Sequence, residues 1–230
     1  MELASKCASA VLGALVVAAT ALQASAQQAA PLSYTPADVA YRASHDTGPA
    51  GAVPAGAHMS RTVGRLLRAL MEAATKRDWV TAEATLMHVR EVQNPSDLDR
   101  FEIEVVASFI ALSMHDHATA LASYEKVIAS PLFATAQTPQ DQRATLKNAM
   151  VLSNEAGDYA QAIAFGEKLA ARGPMDGASA VPLAFAYLAD GRYSKAQALA
   201  QKAIDAAVAA GKKPDETALE IVSRSKESLR

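Results

Sequence analysis

The residues that could do chemistry are few and scattered. His115-Asp116-His117 puts two imidazoles and a carboxylate within three positions, which are side-chain types that hold a metal. The two histidines are two apart in a turn, where they share no helix face, and no third ligand is evident. The triplet therefore reads as a solvated capping turn. His88 stands among Leu86, Met87 and Val89 in a helical stretch without an evident carboxylate partner, and reads as a surface histidine, not a general base. Glu102 and Glu104 are two apart and fall on different faces of a helix, a poor pair for acid–base work. There is no Gly-rich phosphate loop and no serine nucleophile elbow. The expectation is a protein that is not an enzyme and uses no cofactor and no metal.

The elements that position these residues follow from composition. The chain has 230 residues, 22 Lys plus Arg and 24 Asp plus Glu, for a net charge of −2. A near-neutral chain lacks the basic footprint of a nucleic-acid binder. Hydrophobic residues make up 50% and aromatics only 5%, because 53 residues are Ala; Ile occurs 6 times. Ala is the strongest helix former and buries without loss of rotamer entropy. An all-α chain of closely packed helices is expected, and a β-sandwich or barrel is disfavoured.

Residues 1–26 read as a signal peptide. A short charged start with Glu2 and Lys6 leads into an apolar run over 7–22, and Ala24-Ser25-Ala26 forms a small-x-small cleavage pattern. Cleavage after Ala26 is expected, with an uncleaved anchor as the alternative. The run is short and weak for a membrane span, so no integral span should remain after cleavage. The single Cys, Cys7, opens the run instead of following it, which disfavours a lipoprotein. The mature chain would hold no disulfide, no thiol nucleophile and no Cys-ligated zinc. This composition fits export to a bacterial periplasm. Residues 27–59, with Pro31, Pro36, Pro49 and Pro54 among Ala, Gly and Ser, read as a flexible linker. Thr35-Pro36 could open one short helix to about Ala43.

From Ser60 onward helical periodicity dominates and the helices pair. Four turns recur: Lys76-Arg77-Asp78-Trp79, Met114-His115-Asp116-His117, Ala156-Gly157-Asp158-Tyr159 and Asp190-Gly191-Arg192-Tyr193. An alanine follows each: Ala82, Ala120, Ala162 and Ala196, spaced by 38, 42 and 34 residues. A period in this range marks a helical solenoid. Gly157 and Gly191 suit a left-handed helix end, Asp78, Asp116 and Asp158 suit the next N-cap, and the alanines permit close helix crossing. Arg192 breaks the capping pattern. The spacing predicts helices over 61–76, 79–92, 97–113, 117–129, 139–155, 159–171, 178–189 and 193–210. A ninth over 215–229 is a cap or the first helix of a truncated fifth pair. The excess of the 42-residue step falls in a loop over 130–137, where Leu132 and Phe133 either fill a wedge or form a binding edge.

These turns resemble the tetratricopeptide repeat family. The best match runs Leu183-Ala184, Tyr187, Asp190-Gly191-Arg192-Tyr193, Ala196, Ala200 and Ala203; the third pair matches through Gly157-Asp158-Tyr159, Ala162 and Pro174. The first two pairs depart from it, with Arg77 and His115 in the turn glycine's place and His117 replacing an aromatic. The layout is similar to exported tetratricopeptide proteins of Proteobacteria. The resemblance covers about 60–211 and implies a right-handed α-solenoid of about four helix pairs, with 212–230 as a C-terminal capping helix.

In such a solenoid the first helix of each pair lines the concave side. Aligning the turns assigns Leu67 and Met71 to that face in the first pair, and Glu102, Val105, Phe109 and Leu112 in the second. The third contributes Lys147, Val151 and Asn154, and the fourth Val181, Phe185 and Leu188. A mostly apolar groove suits an amphipathic helix or extended segment, unless these side chains pack between repeats. The Lys/Asn clamp of the chaperone-binding subtype is not matched, because only Lys147 and Asn154 are present. The expected function is a non-catalytic periplasmic adaptor whose groove (Met71, Val105, Phe109, Lys147, Val151, Asn154, Val181 and Phe185) holds another envelope protein or peptide. A self-associating structural protein of the envelope is the alternative.

Overall fold

The computed structural model describes residues 58–230, and every regular element among them is an α-helix. The leader, its cleavage pattern, the short helix after Thr35 and nearly all of the linker lie outside the described residues. The chain divides into two compact units, 58–146 and 147–230 among the described residues.

The first unit contains α1 (Arg61–Thr75), α2 (Trp79–Arg90), α3 (Asp97–Ser113), α4 (His117–Ala129), the four-residue α5 (Phe133–Ala136) and the start of α6 (Pro139–Glu155). Each long helix begins where a side chain takes a free N–H. Ser60 Oγ accepts from the Val63 amide, and Asp78 and Asp116 accept from Thr81 and Thr119. Ser96 and Asp99 form a reciprocal capping box at α3. Asp99 also accepts from the Ser60 amide at 2.8 Å, so one buried carboxylate ties the starts of α1 and α3. Within this unit α1 pairs with α2 and α3 with α4, and α3 packs on both α1 and α2.

The second unit takes in the rest of α6, then α7 (Tyr159–Ala170), α8 (Gly177–Ala189), α9 (Tyr193–Ala209) and α10 (Glu216–Ser228). Here α8 packs on α7 and α9, and α10 packs on both α8 and α9, the relation that α3 bears to α1 and α2. Gly166 sits where α7 passes α6 and α8. A Cβ there would lie 2.5 Å from Leu183 Cδ1 and 2.9 Å from Met150 Sδ.

The four turns are built alike. The N–H of Asp78, Asp116, Asp158 and Arg192 donates five residues back, to the carbonyls of Ala73, Ala111, Ser153 and Tyr187, at 2.8–2.9 Å. The residue before each has positive φ: 57° at Arg77, 59° at His115, 77° at Gly157 and 76° at Gly191. This is the bond pattern that closes a helix end with one left-handed residue. Gly211, with φ 67°, and the bond from Lys212 N–H to Ala207 O repeat it a fifth time. Ala82, Ala120, Ala162 and Ala196 are each 0% exposed, so the helices meet with only a methyl group between them.

The expected helices over 97–113, 117–129 and 139–155 match in both bounds, and the others differ at their ends by one or two residues. The loop over 130–137 differs more: it contains α5, and Leu132 and Phe133 are both buried. Arg192 makes no side-chain cap, as expected from its type. Pro182 stands inside α8, and its carbonyl accepts from Asn154 Nδ2 at 3.0 Å.

Candidate functional site

The candidate chemical residues do not converge. His115 lies in the turn before α4 and His117 opens that helix, with ring centroids 6.3 Å apart and tilted by 52°. Among the described residues no three His, Cys, Asp or Glu side chains gather as a metal set. His88 is exposed on α2. Glu102 is buried on α3, whereas Glu104 faces Arg90 and Lys126.

The groove positions separate into two classes. Met71 and Val105 in the first unit, and Val151, Asn154, Val181 and Phe185 in the second, are buried. Phe185 meets Tyr159 edge-on, with centroids 6.0 Å apart. Asn154 spends its amide N–H on Pro182, while its Oδ1 is buried without a hydrogen-bond partner. Phe109 and Leu112 on α3, Lys147 on α6 and Leu188 on α8 are half-buried and keep surface to offer.

A cleft of about 510 Å³ opens in the first unit between the ends of α2 and α4 and the first half of α3. Arg90, Asp97, Arg100, Glu104 and Lys126 supply its charges. Phe101, Ile103, Leu132 and the rings of Pro95 and Pro131 supply its apolar wall. Glu104 accepts from Lys126 Nζ at 2.9 Å and from Arg90 at 3.4 Å, and Arg100 reaches Asp97 at 2.9 Å. No spacing rule finds this cleft, since its residues come from three helices and two loops. The one sequence signal was the enlarged loop that carries Leu132.

A second polar cluster joins α7, α8 and α9. The Tyr187 hydroxyl donates to Glu167 Oε1 at 2.8 Å, and Lys195 Nζ donates to the same oxygen at 3.3 Å. Lys195 and Arg192 lie 5.1 and 6.0 Å from the Tyr187 ring centroid. Burial, then the hydrogen bond to Glu167, pushes the phenol up to about 12. The same hydrogen bond holds the Glu167 carboxyl below the usual carboxylate range. At neutral pH the phenol therefore stays protonated as the donor and the carboxylate stays ionised as the acceptor.

Comparison with known protein families and with curated proteins finds no match to this chain. No helix among the described residues is long and apolar enough to cross a membrane.

Proposed function

We propose that the chain is a non-catalytic adaptor of the bacterial periplasm, built as a right-handed α-solenoid of about four tetratricopeptide-like pairs closed by α10. It would bind another envelope protein or peptide through the face of its first helices. The observation that carries this reading is the fourfold recurrence of one turn: the same five-residue-back bond, the same left-handed residue and the same fully buried alanine. Repeating one supersecondary unit lays side chains out over a surface, which is the arrangement recognition solenoids use. Phe109 and Leu112 in the first unit, and Lys147 and Leu188 in the second, keep accessible surface on those helices. The periplasmic location rests on the leader pattern over 1–26.

Site-specific photo-crosslinking in living cells tests the reading. A crosslinker at position 109 should capture one partner protein, and a crosslinker at the exposed position 160 on α7 should not. Equal, diffuse labelling from both positions would sink it.

Self-association remains the second reading, and a specific observation favours it. On α2, Val80 is 80% and Met87 is 61% exposed, two turns apart on one face, and Leu219 on α10 and Leu229 just past its end are also exposed. Light scattering behind size exclusion separates the two: a stable dimer that Met87→Glu dissolves would favour self-association.

A further inference from the structure

The charges of the α2–α3–α4 cleft do not balance. Arg90 and Lys126, from the last turns of two different helices, both reach the one carboxylate of Glu104. Among the described residues neither cation pairs with another carboxylate. Two positive charges thus share one negative charge, at a side chain only 16% exposed. Both side chains also keep donors turned toward solvent, which a ligand could take. A guanidinium has five N–H groups and an ammonium three, and each gives one to Glu104. Arg100 adds no net charge, because Asp97 holds it at the rim. Beside the unbalanced pair runs the wall of Phe101, Ile103 and Leu132. The volume, about 510 Å³, lies in the range of small-molecule sites, which combine apolar walls with a few convergent polar groups.

We propose that this cleft binds a small organic anion with an apolar body. Its carboxylate is taken by Arg90 and Lys126, and its hydrocarbon lies along Phe101, Ile103 and Leu132. An inorganic anion would leave the apolar wall unused, and a neutral hydrocarbon would make no use of the two converging cations. Charge-assisted hydrogen bonds from two converging cations favour a carboxylate over a neutral amide of the same shape. Glu104 acts here as an internal competitor, because it holds the donors that the ligand would use. Removing its charge should therefore strengthen binding, the opposite of what removing a supporting residue would do. This inference stands apart from the adaptor reading and does not need it.

The probe is 4-phenylbutyrate, with 4-phenylbutyramide as its neutral counterpart, titrated into the ¹⁵N-labelled chain as purified from expressing cells. The carboxylate should give saturable shifts confined to amides of 90–104 and 126–132, with the amide about 10-fold weaker. Lys126→Met should weaken the carboxylate about 10-fold. Lys126 is 60% exposed at its side chain, so this change leaves the fold intact. Glu104→Gln should tighten the carboxylate about 5-fold and leave the amide unchanged. Moderate salt should weaken the carboxylate alone. Equal binding of acid and amide, saturable shifts elsewhere, no saturable shifts at about 10 mM, or no tightening by a folded Glu104→Gln would each overturn the proposal. Should Glu104→Gln not fold, unchanged carboxylate affinity in Lys126→Met would overturn it instead.

Discussion

Arg77 and His115 hold left-handed backbone, with φ 57° and 59°, in turns whose later copies carry Gly157 and Gly191. An L residue pays about 1 kcal/mol or more for that conformation because its Cβ crowds the following carbonyl. Both side chains are exposed, so little packing offsets the cost. Arg77→Gly and His115→Gly are each expected to raise stability by about 0.5–1 kcal/mol, less than the full steric term because glycine also loosens the unfolded chain. Urea denaturation checks this, and a loss of stability in both would mean that the side chains hold the turns. This conformation was legible only by alignment: neither Arg nor His announces positive φ, but each occupies a place that glycine fills twice. The caps were legible directly, since Asp78, Asp116 and Asp158 each have a free helix amide three residues on. The Thr81 and Thr119 hydrogen bonds hold Asp78 and Asp116 below the usual carboxylate range. Their stabilising effect is present at neutral pH and is lost as acid protonates them.

At the scale of elements, apolar periodicity, caps and left-handed stops marked where helices begin and end. What they could not mark was which helices close on each other and how tightly. The buried alanines are the exception, because a residue that must be small shows itself by recurring. Ala162→Leu should overpack the start of α7 and cost about 1–3 kcal/mol. Ala160→Leu, two residues earlier on the exposed side, should change stability by less than about 0.5 kcal/mol. Equal melting of the two variants would sever the link between alanine and helix spacing. Gly166 was missed, since one glycine within a helix has no partner in sequence to say that Leu183 and Met150 crowd it. The Glu167–Tyr187–Lys195 cluster was missed for the same reason, its members being 20 and 28 residues from Glu167. Its pH response has a definite sign. Tyr187 is raised to about 12, so its contribution is whole below the ordinary phenol range near 10 and fades as pH climbs toward 12. Glu167 is lowered, so its contribution holds above the ordinary carboxylate range and fades in acid. Tyr187→Phe should flatten the alkaline arm of the stability–pH curve between pH 10 and 12, which melts across that interval would reveal. An unchanged arm would mean that the hydroxyl adds nothing to the clamp.

For the whole molecule, periodicity reads one helix face at a time, while burial depends on every neighbour that face meets. Val105, Phe109, Val181 and Phe185 look equivalent when the turns are aligned, yet Val105, Val181 and Phe185 are buried and Phe109 is half-buried. The cleft lay further out of reach, because Arg90, Glu104 and Lys126 become neighbours only once three helices have packed. The difference between the two phenylalanines gives the sharpest experiment on partner binding. Phe185 packs against Tyr159 and is 6% exposed. Phe185→Asp would place a carboxylate among apolar groups with no cation supplied, a cost of several kcal/mol that rivals the stability of a small domain. It should unfold the second unit or send the chain into aggregates. Phe109→Asp can turn its carboxylate to water, so the circular-dichroism melt should fall only modestly. If Phe109 belongs to the partner surface, the same change should abolish capture, because aromatic anchors carry a large share of interface energy. A Phe109→Asp chain that melts like the parent and captures the same partner at the same yield would remove α3 from the binding face. The exposed apolar residues of α2 and α10 would then be the surfaces to test.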